Sequence, residues 1–372
     1  MTQQIYEDAF TRTFADQDKF LEFLRERENN SRWERHESRE LRFKAMDDAD
    51  YMFSIDENVY ADTFKNTRML LKVSGGENYP VRTCAIKTIC DRARISGNAL
   101  NKVPKKALAD ILNHCMKVSP GFALLRHSEN KISAVNGGDA SEYAPLPIPE
   151  LFGMTADYLD IEFPGSTFAG GFFDHSMVSA LWELTNQDEL LKTYREALKK
   201  RGITPKAMKP ALRLSSSDVG VSGANLFPML IFDSEKNVTL GNPLKLEHKS
   251  GANLDMFGER LKMIFAQYAK AVNGLVGLLE IEIRYPANCM TGIMKRLGLP
   301  KKLSFEAIDL FKAQYGEEPC TAHDIYFAVC EIIFMLQCSG SDGARIVQTE
   351  ENIARALTVR WIDYDMPGDV RW

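Results

Sequence analysis

Apolar residues recur at helical spacing in the first third of the chain. Residues 18–28, 82–93 and 103–118 each place them on one side of a helix. Between the first two of these segments, residues 29–50 are almost all charged or polar, which predicts an exposed helix or a mobile linker. We therefore expect residues 1–120 to form an acidic helical N-terminal region that has basic helices at its end.

After residue 120 the apolar pattern changes to a period of two, which is typical of strands. Helices over residues 147–163 and 188–200 interrupt the strands. Because strands return after helices, a central, mostly antiparallel sheet is favoured over a parallel doubly wound one. We expect residues 121–250 to form this sheet-containing core. The predicted strands cover residues 122–126, 132–135, 168–173, 177–184, 211–214, 226–233 and 238–240.

The last third of the chain again shows helical spacing. Residues 254–283 have the length and apolar stripe of one long helix, and a final apolar strand is predicted over 358–362. We expect residues 251–372 to form a helical C-terminal region packed on the core. The fold class predicted from the whole pattern is α+β, with flanking helices and a helical C-terminal third. Further short helices are predicted near residues 288–297, 305–315, 323–336 and 350–357.

Composition and cysteine usage predict a cytoplasmic protein. Of the 372 residues, 45% are hydrophobic and 26% are charged, which is an ordinary globular balance. No stretch approaches the ~20 apolar residues that span a bilayer, and the first ten residues lack the plan of a signal peptide. The seven cysteines are odd in number and none lie at CxxC spacing, so we expect reduced thiols, with Cys330 largely buried on an apolar helix.

Basic residues concentrate in two short blocks of an otherwise acidic chain, whose net charge is −5. Residues 82–106 carry seven basic side chains against one acidic (+6), and residues 192–213 carry eight against one (+7). The blocks either form a positive groove for a polyanion or are solvated helix faces that meet counter-charges elsewhere. The nucleic-acid-binding residues predicted for the groove are Lys87, Arg92, Arg94, Lys199, Lys200, Arg213, Lys245, His248 and Lys249.

Two loops also suggest anion binding. Residues 215–223 combine four serines with two glycines, and such a loop presents backbone N–H groups either to a phosphate or to its own hydroxyls. Residues 245–251 place Lys249 and Ser250 where a helix N-terminus could hold a phosphate. Aromatic residues near the basic blocks either stack on bases or belong to the core. These aromatic residues are Phe172, Phe173, Tyr194 and Phe227.

Catalytic signatures are absent from the sequence. It contains no phosphate-loop, dinucleotide, zinc-protease, hydrolase or kinase motif, and its six histidines are scattered. We therefore predict no catalytic residue, no metal site and no cofactor. An enzyme with a composite pocket near His248, His175 or Asp218 remains an open alternative.

Four places in the chain carry a resemblance to a known family: residues 131–136 with 143–146, 170–171 with 178–182, 245–251 and 321–326. In their order, from about residue 121 to 360, the chain resembles a large domain-of-unknown-function family of phage- and plasmid-encoded proteins carried on mobile elements. The family's usual cysteine before the long helix has no counterpart in residues 213–217, so no role for it is carried over. The same order of sheet and helices is similar to that of phage single-strand annealing proteins.

Three functions stay open on this evidence. The leading one is a mobile-element protein that binds single-stranded nucleic acid, as an annealing or recombination accessory factor. The second is a structural or partner-binding protein, such as an anti-defence or assembly factor, which an apolar surface patch with neutralised basic blocks would favour. The third is the enzyme with a composite pocket. A homo-oligomer is compatible with each of them, and a membrane partner is expected for none.

Overall fold

The α+β fold class is confirmed by a computed structural model, which describes residues 3–46, 55–73, 75–204, 207–232, 237–341 and 343–372. About 47% of the chain is helical and 22% is strand, with a central antiparallel sheet and helices in the C-terminal part. Residues 47–50, Lys206 and Asp233, which belong to predicted segments, lie outside the described residues.

Seven strands form the central sheet. Their order is β1-β8-β9-β10-β11-β12, with β13 also paired to β11, and every pairing is antiparallel. One face of β10 and β11 is largely apolar, and alternate residues of both strands on that face point into the main core. The strands are β1 (Thr11–Phe14), β8 (Thr167–Asp174), β9 (Val178–Glu183), β10 (Met208–Ser216), β11 (Ala224–Phe232), β12 (Asn237–Thr239) and β13 (Leu244–Leu246).

Two smaller sheets lie beside the central one. The predicted hairpin of β6 and β7 does not join the central sheet but pairs with β2, and β3, β4 and β5 form another antiparallel sheet. The prediction of a helix or linker over residues 29–50 is therefore wrong for the described part. The strands are β2 (Ser31–Glu37), β3 (Arg42–Ala45), β4 (Met69–Lys72), β5 (Asn78–Pro80), β6 (Phe122–Ser128) and β7 (Lys131–Gly137).

Helices of the first two-thirds agree with the predicted segments, apart from one that was not predicted, α2. Asp16 begins α1 by accepting a hydrogen bond from the backbone N–H of Lys19, and Asp56 begins α2 in the same way. These helices are α1 (Gln17–Asn29), α2 (Glu57–Lys65), α3 (Ala85–Arg92), α4 (Lys105–Val118), α5 (Ile148–Glu162) and α6 (Lys192–Lys200).

The C-terminal third is almost entirely helical within the described residues. The single helix predicted over 254–283 is instead two helices, because the N–H of Met263 bonds to the carbonyl three residues back and tightens the turn between them. They are followed by the two-residue strand β14 (Glu282–Ile283), which pairs with β15 (Cys320–Thr321). The helices are α7 (Leu254–Lys262), α8 (Ile264–Leu279), α9 (Pro286–Leu297), α10 (Lys301–Tyr315), α11 (Ala322–Cys338) and α12 (Gly343–Ala354).

The strand predicted over 358–362 is also wrong. Two short 3-10 helices, Arg355–Thr358 and Trp361–Tyr364, occupy that part of the chain. Trp361 is fully buried, and its indole N–H donates to the carbonyl of Ala356, which fixes the compact turn. Burial of the Trp361 ring therefore determines the local conformation, and the strand that the surrounding apolar residues would favour does not form.

The molecule has two main hydrophobic cores. The larger lies between the central sheet and helices α1 and α5 to α11. The smaller lies between β3, β4, β6, β7 and helices α3 and α4. Cys330 is buried in the larger core, as predicted, and the seven cysteines are all free thiols.

Candidate functional site

The first basic block is only partly available to a ligand. Lys87 and Arg94 are exposed, whereas Arg92 is 7% exposed and its guanidinium donates to Ser38 Oγ at 2.9 Å. Glu142 lies 3.6 Å from the same guanidinium. Because its donors are used inside the protein, Arg92 is not a surface phosphate contact, and the prediction for this residue is corrected.

The second block is largely neutralised by neighbouring carboxylates. Lys199 and Lys200 are exposed at the end of α6, but Arg213 is 8% exposed, pairs with Glu350 and lies over the ring of Phe227. Arg213 is thus also corrected from a surface contact to a buried ion pair. The other paired cations of the block are Lys192 with Glu189, Arg195 with Asp188, Arg201 with Glu280 and Lys209 with Glu183.

The two blocks belong to different parts of the fold. Helix α3 packs mainly against β7 in the smaller core, and α6 packs mainly against α8 in the larger one. Phe173, Tyr194 and Phe227 are buried, so these three aromatic residues belong to the interior instead of a base-stacking surface. The packing therefore offers no support for one groove built from both blocks.

The two predicted anion-binding loops lie next to each other, but most of their polar groups already form hydrogen bonds or ion pairs within the protein. Asn225 pairs with Lys245 across β11 and β13. Ser217 Oγ accepts from the backbone N–H groups of Val219 and Val221, which is the self-bonded turn alternative. Lys245 and Lys249 are exposed and lie at 3.5 and 2.5 Å from Glu247 carboxylate oxygens.

His248 is part of the interior. Its side chain is 6% exposed, its ring stacks on Tyr143 at 5.4 Å, and its Nε2 lies 3.4 Å from Ser216 Oγ. Burial lowers the pKa of His248 and outweighs the opposing effects of the Ala144 carbonyl and Asp218. A buried, neutral imidazole does not attract phosphate, so the prediction of His248 as a nucleic-acid contact is corrected.

Asp218 and His175, the other proposed centres of a composite pocket, belong to a buried ionic cluster. The Asp218 carboxylate accepts from Arg27 and Arg126, and Tyr143 donates to its backbone carbonyl. His175 is 3% exposed and its Nε2 lies 3.0 Å from the carbonyl of Glu7. Burial lowers the pKa of His175 well below its usual value, and Arg82 adds to that effect. These groups hold the two cores together and are not open to a substrate.

A separate cavity of about 410 Å³ lies between α6, the end of β11, α10 and α11. The residues that line it lie between positions 194 and 331 of the chain, and most of their side chains are aromatic or aliphatic. Tyr315, which is 60% exposed, stands at the mouth, and Ile203 and Leu310 are also exposed there. We call it the aromatic pocket. Its aromatic lining is Tyr194, Phe232, Phe311, Tyr315 and Phe327.

A hydrogen-bonded pair sits in the wall of the aromatic pocket. Tyr194 Oη and His323 Nε2 are 2.6 Å apart, and both side chains are buried. His323 Nδ1 is buried and has no hydrogen-bond partner within the described residues, although Asp324 Oδ1 lies 3.9 Å away. Burial raises the pKa of Tyr194, so the phenol stays protonated, and the tautomer of His323 decides which of the two groups donates the hydrogen bond.

Carboxylates complete the polar lining. Asp324 and Glu331 both face the pocket, and the described residues that line it include no lysine or arginine. Asp324 also forms a capping box with Thr321 at the start of α11, which fixes its position. Burial raises the pKa of Asp324, but the neighbouring His323 and the hydrogen bonds from Thr321 outweigh it and bring the pKa to about 2. Asp324 is therefore ionised at neutral pH.

Sequence reasoning missed this pocket because its parts come from four separate elements. Tyr194 and His323 are 129 positions apart and follow no common motif. The one feature of the sequence that could have indicated the pocket was the amphipathic spacing of α10 and α11. That spacing is equally typical of helices packed on an ordinary hydrophobic core. Within the described residues, no cluster of three or more histidine, cysteine or acidic side chains could hold a metal ion. Among the same residues, no helix combines the length and apolarity needed to cross a membrane.

Comparisons with protein-family models, with curated proteins and with solved structures found no match to this chain. The resemblance to the phage- and plasmid-encoded family therefore stays a prediction.

Proposed function

We propose that this protein binds a small molecule in the aromatic pocket. The single observation that carries the proposal is a cavity of about 410 Å³ that is lined by five aromatic rings and holds one buried tyrosine–histidine pair. Ligand sites in proteins are typically clefts of about 300–1,000 Å³ with mostly apolar walls and a few converging polar groups. This pocket is not the composite pocket of the third sequence hypothesis, which was centred on His248, His175 or Asp218; none of these three residues lines it.

The residues that line the pocket predict a ligand with an apolar part and a polar part. An apolar body would pack against Phe311 and Phe327, because transfer of apolar surface from water into such a wall is favourable. A polar group of the ligand would face Tyr194, His323 and Asp324. There it could form a hydrogen bond with His323 Nδ1, which is buried and has no hydrogen-bond partner within the described residues. The exposed rings and aliphatic side chains at the mouth would then be covered by the same ligand.

Filling the pocket tests this function. Ala328 lines the cavity on α11, so A328W places an indole where the ligand would lie, whereas A328S leaves the volume open and serves as the matched control. We expect aromatic fragments to shift protein NMR signals of the wild type and A328S, and to lose at least about tenfold in affinity for A328W. Equal fragment binding by all three proteins, or binding by none, would overturn the proposal.

Nucleic-acid binding is the second candidate, and a specific surface favours it. Lys102, Lys105 and Lys106 surround the N-terminus of α4, whose cap residue Pro104 supplies no side-chain hydrogen bond. Cations at a helix N-terminus are electrostatically unfavourable unless an anion joins them. None of these lysines forms an ion pair within the described residues, and the same holds for Lys87 and Arg94 of the same block. We call these five residues the α4 basic surface.

The salt dependence of DNA binding tests the α4 basic surface. Each phosphate neutralised on a single strand contributes roughly 0.7 to the log–log salt slope. The variant K87A/R94A/K102A/K106A should therefore flatten that slope by up to about 3. The control K192A/K199A/K200A/K209A removes the same charge from the other block and should leave the slope nearly unchanged. No binding of single-stranded DNA by the wild type at low salt would exclude this candidate.

A further inference from the structure

A second cavity, of about 300 Å³, lies between the start of α2, strand β5 and the turn that joins β6 to β7. It is separate from the aromatic pocket, because no residue lines both. Most of the side chains that line it are polar, in contrast to the aromatic and aliphatic lining of the other cavity. We call it the polar pocket. Its polar lining includes Arg32, Asp56, Glu77, Asn78, Ser128 and Glu129.

Two polar atoms in the wall of the polar pocket have no hydrogen-bond partner. Ser128 is 1% exposed and Asn78 is half-buried. Within the described residues, neither Ser128 Oγ nor Asn78 Oδ1 has a partner. A buried polar atom without a partner is destabilising, and the large majority of such atoms in proteins are hydrogen-bonded. Two of them in the lining of one cavity therefore indicate that a bound molecule supplies the partners.

Two charged groups of the polar pocket already have counter-charges in the protein. Glu129 Oε1 lies 3.5 Å from Arg27 Nε, and Glu129 Oε2 lies 3.3 Å from Arg82 Nη2. Arg32 donates through Nε to Glu34 Oε1 at 2.6 Å. A charged ligand would have to compete with these ion pairs, so their presence favours a neutral ligand.

The remaining lining mixes hydrogen-bond donors with acceptors. The carboxylates of Asp56 and Glu77 only accept, the guanidinium of Arg32 only donates, and the hydroxyl of Ser128 does both. A bound anion offers only acceptors and would face the two carboxylates, whereas a bound ammonium group offers only donors and has nothing to accept from Arg32. A hydroxyl group donates and accepts. A molecule with several hydroxyls therefore matches every kind of group in this lining.

We propose that the polar pocket binds a small neutral polyol of the monosaccharide class. Hydroxyls of one sugar ring donate to Asn78 Oδ1 and to the Glu129 carboxylate, and another shares a hydrogen bond with Ser128 Oγ. The volume of about 300 Å³ is at the lower end of ligand clefts, which suits a single ring. This inference is independent of the aromatic pocket, because it depends on a different cavity and on different residues.

A panel of small molecules tests the ligand class. Glucose, mannose and galactose are titrated into the isotope-labelled protein and followed by NMR. The comparison compounds are cyclohexylmethanol, which keeps a six-membered ring with one hydroxyl, cyclohexylmethylamine, which is a cation at neutral pH, and inorganic phosphate. We expect at least one sugar to bind with a Kd of about 1–10 mM, and each comparison compound to bind at least about tenfold more weakly. No sugar binding at about 50 mM, or a comparison compound that binds as tightly as the best sugar, would overturn the proposal.

Adjacent asparagines offer a matched pair of blocking variants. Asn30 lines the polar pocket and Asn29 does not, although both are exposed at the end of α1. N30W places an indole at the cavity and should weaken sugar binding at least about tenfold, because the ring occupies the space of the ligand. N29W adds the same ring outside the cavity and should bind sugar as the wild type does. Equal binding by the two variants would place the sugar elsewhere and refute the inference.

The Ser128 hydroxyl tests the hydrogen bonds themselves. Because Ser128 Oγ has no partner within the described residues of the free protein, S128A should leave the urea midpoint of unfolding nearly unchanged. Loss of its hydrogen bond to the sugar should weaken binding about three- to tenfold. An unchanged sugar affinity in S128A would contradict the proposed contact. A328W should bind sugar as the wild type does, so a failure of the aromatic pocket and a failure of the polar pocket are distinguished.

Discussion

Arg27 and Asp218 are 191 positions apart in the chain, and their side chains meet through a 2.7 Å hydrogen bond inside the protein. Arg126 contacts the same carboxylate oxygen at 3.3 Å. Three elements are joined at this point: helix α1, strand β6 and the loop between β10 and β11. Burial raises the pKa of Asp218, but the two guanidinium groups outweigh it and bring the pKa to about 2. The Asp218 carboxylate therefore links the smaller core to the larger one, together with Glu28 and Glu129.

Removal of the Asp218 charge should destabilise the fold strongly. In D218N, Arg27 and Arg126 would lose their shared counter-charge and keep only Glu129 and Glu28 as partners. Removal of one partner from such a buried cluster costs up to about 3–5 kcal/mol. Urea unfolding followed by circular dichroism measures the loss. The control D139N breaks the exposed pair with Arg35 and should cost under about 1 kcal/mol. Equal losses in the two variants would mean that the buried cluster does not tie the cores together.

Stability should fall on mild acidification because of buried histidine. Burial lowers the pKa of His127 from 6.5 to about 4, an effect that the nearby Glu34 only partly opposes. Between these two values the unfolded chain binds more protons than the folded one, so the free energy of unfolding decreases as pH falls from about 6.5 to 4.

The variant H127Q measures how much of this pH dependence of the unfolding free energy comes from His127. Gln does not titrate, so H127Q should flatten the decline in unfolding free energy over that pH range. The buried His175 and His248 have lowered pKa values too and should preserve part of the slope. Urea midpoints measured every half pH unit for both proteins provide the comparison. An identical slope in H127Q would assign the titration to the other histidines.

Thiol reactivity should follow burial. Cys338 is exposed at the end of α11 and should react with a disulfide reagent within minutes in the native protein. Cys289 and Cys330 are buried, and burial raises the pKa of Cys289, so both should react only on unfolding. Mass spectrometry of labelled peptides assigns each site. Rapid native labelling of Cys330 would show that α11 opens readily.

Two glycines should respond to alanine in opposite ways. A Cβ at Gly223 would lie 2.5 Å from the carbonyl oxygen of Leu246, a backbone atom of the neighbouring strand, so G223A should destabilise the protein by about 1–3 kcal/mol. Gly277 is exposed on α8 with open space around its Cβ position, and G277A should stabilise the protein by up to about 1 kcal/mol. Thermal unfolding of both variants checks the pair, and a stabilised G223A would contradict the packing.

Periodicity predicted the elements in which one face is apolar. Helix α5 and the hairpin of β6 and β7 follow the predicted segments because each carries apolar residues at the spacing of its element, although polar residues interrupt the hairpin near the bulge at Arg126 and His127. Strand β2 was missed because its residues, Ser31–Glu37, are nearly all polar, and it is held by pairing with β6 and by partial burial on both faces. Pattern reasoning has no signal for a strand that lacks an apolar face.

The candidate site was much less predictable than the fold. Charge spacing along the chain cannot show that Arg92 and Arg213 are buried, because their partners Ser38 and Glu350 are distant in sequence. The same limit applies to the aromatic pocket, whose buried pair depends on the packing of α6 against α11. Lys87, Arg94, Lys199 and Lys200 were correctly expected at the surface, since helix ends and outer faces are decided locally.

The edge position of β1 has a consequence for synthesis on the ribosome. Thr11 pairs with Asp174 and Phe14 with Gly171, so the first strand of the chain has no partner until β8 has emerged. During that interval Phe10 and Phe14, which later enter the larger core, remain exposed to solvent in the nascent chain. Long-range pairing of this kind closes late, because the loop entropy must be overcome first. The N-terminal segment therefore reaches its place in the larger core only after the strand that pairs with it has been made.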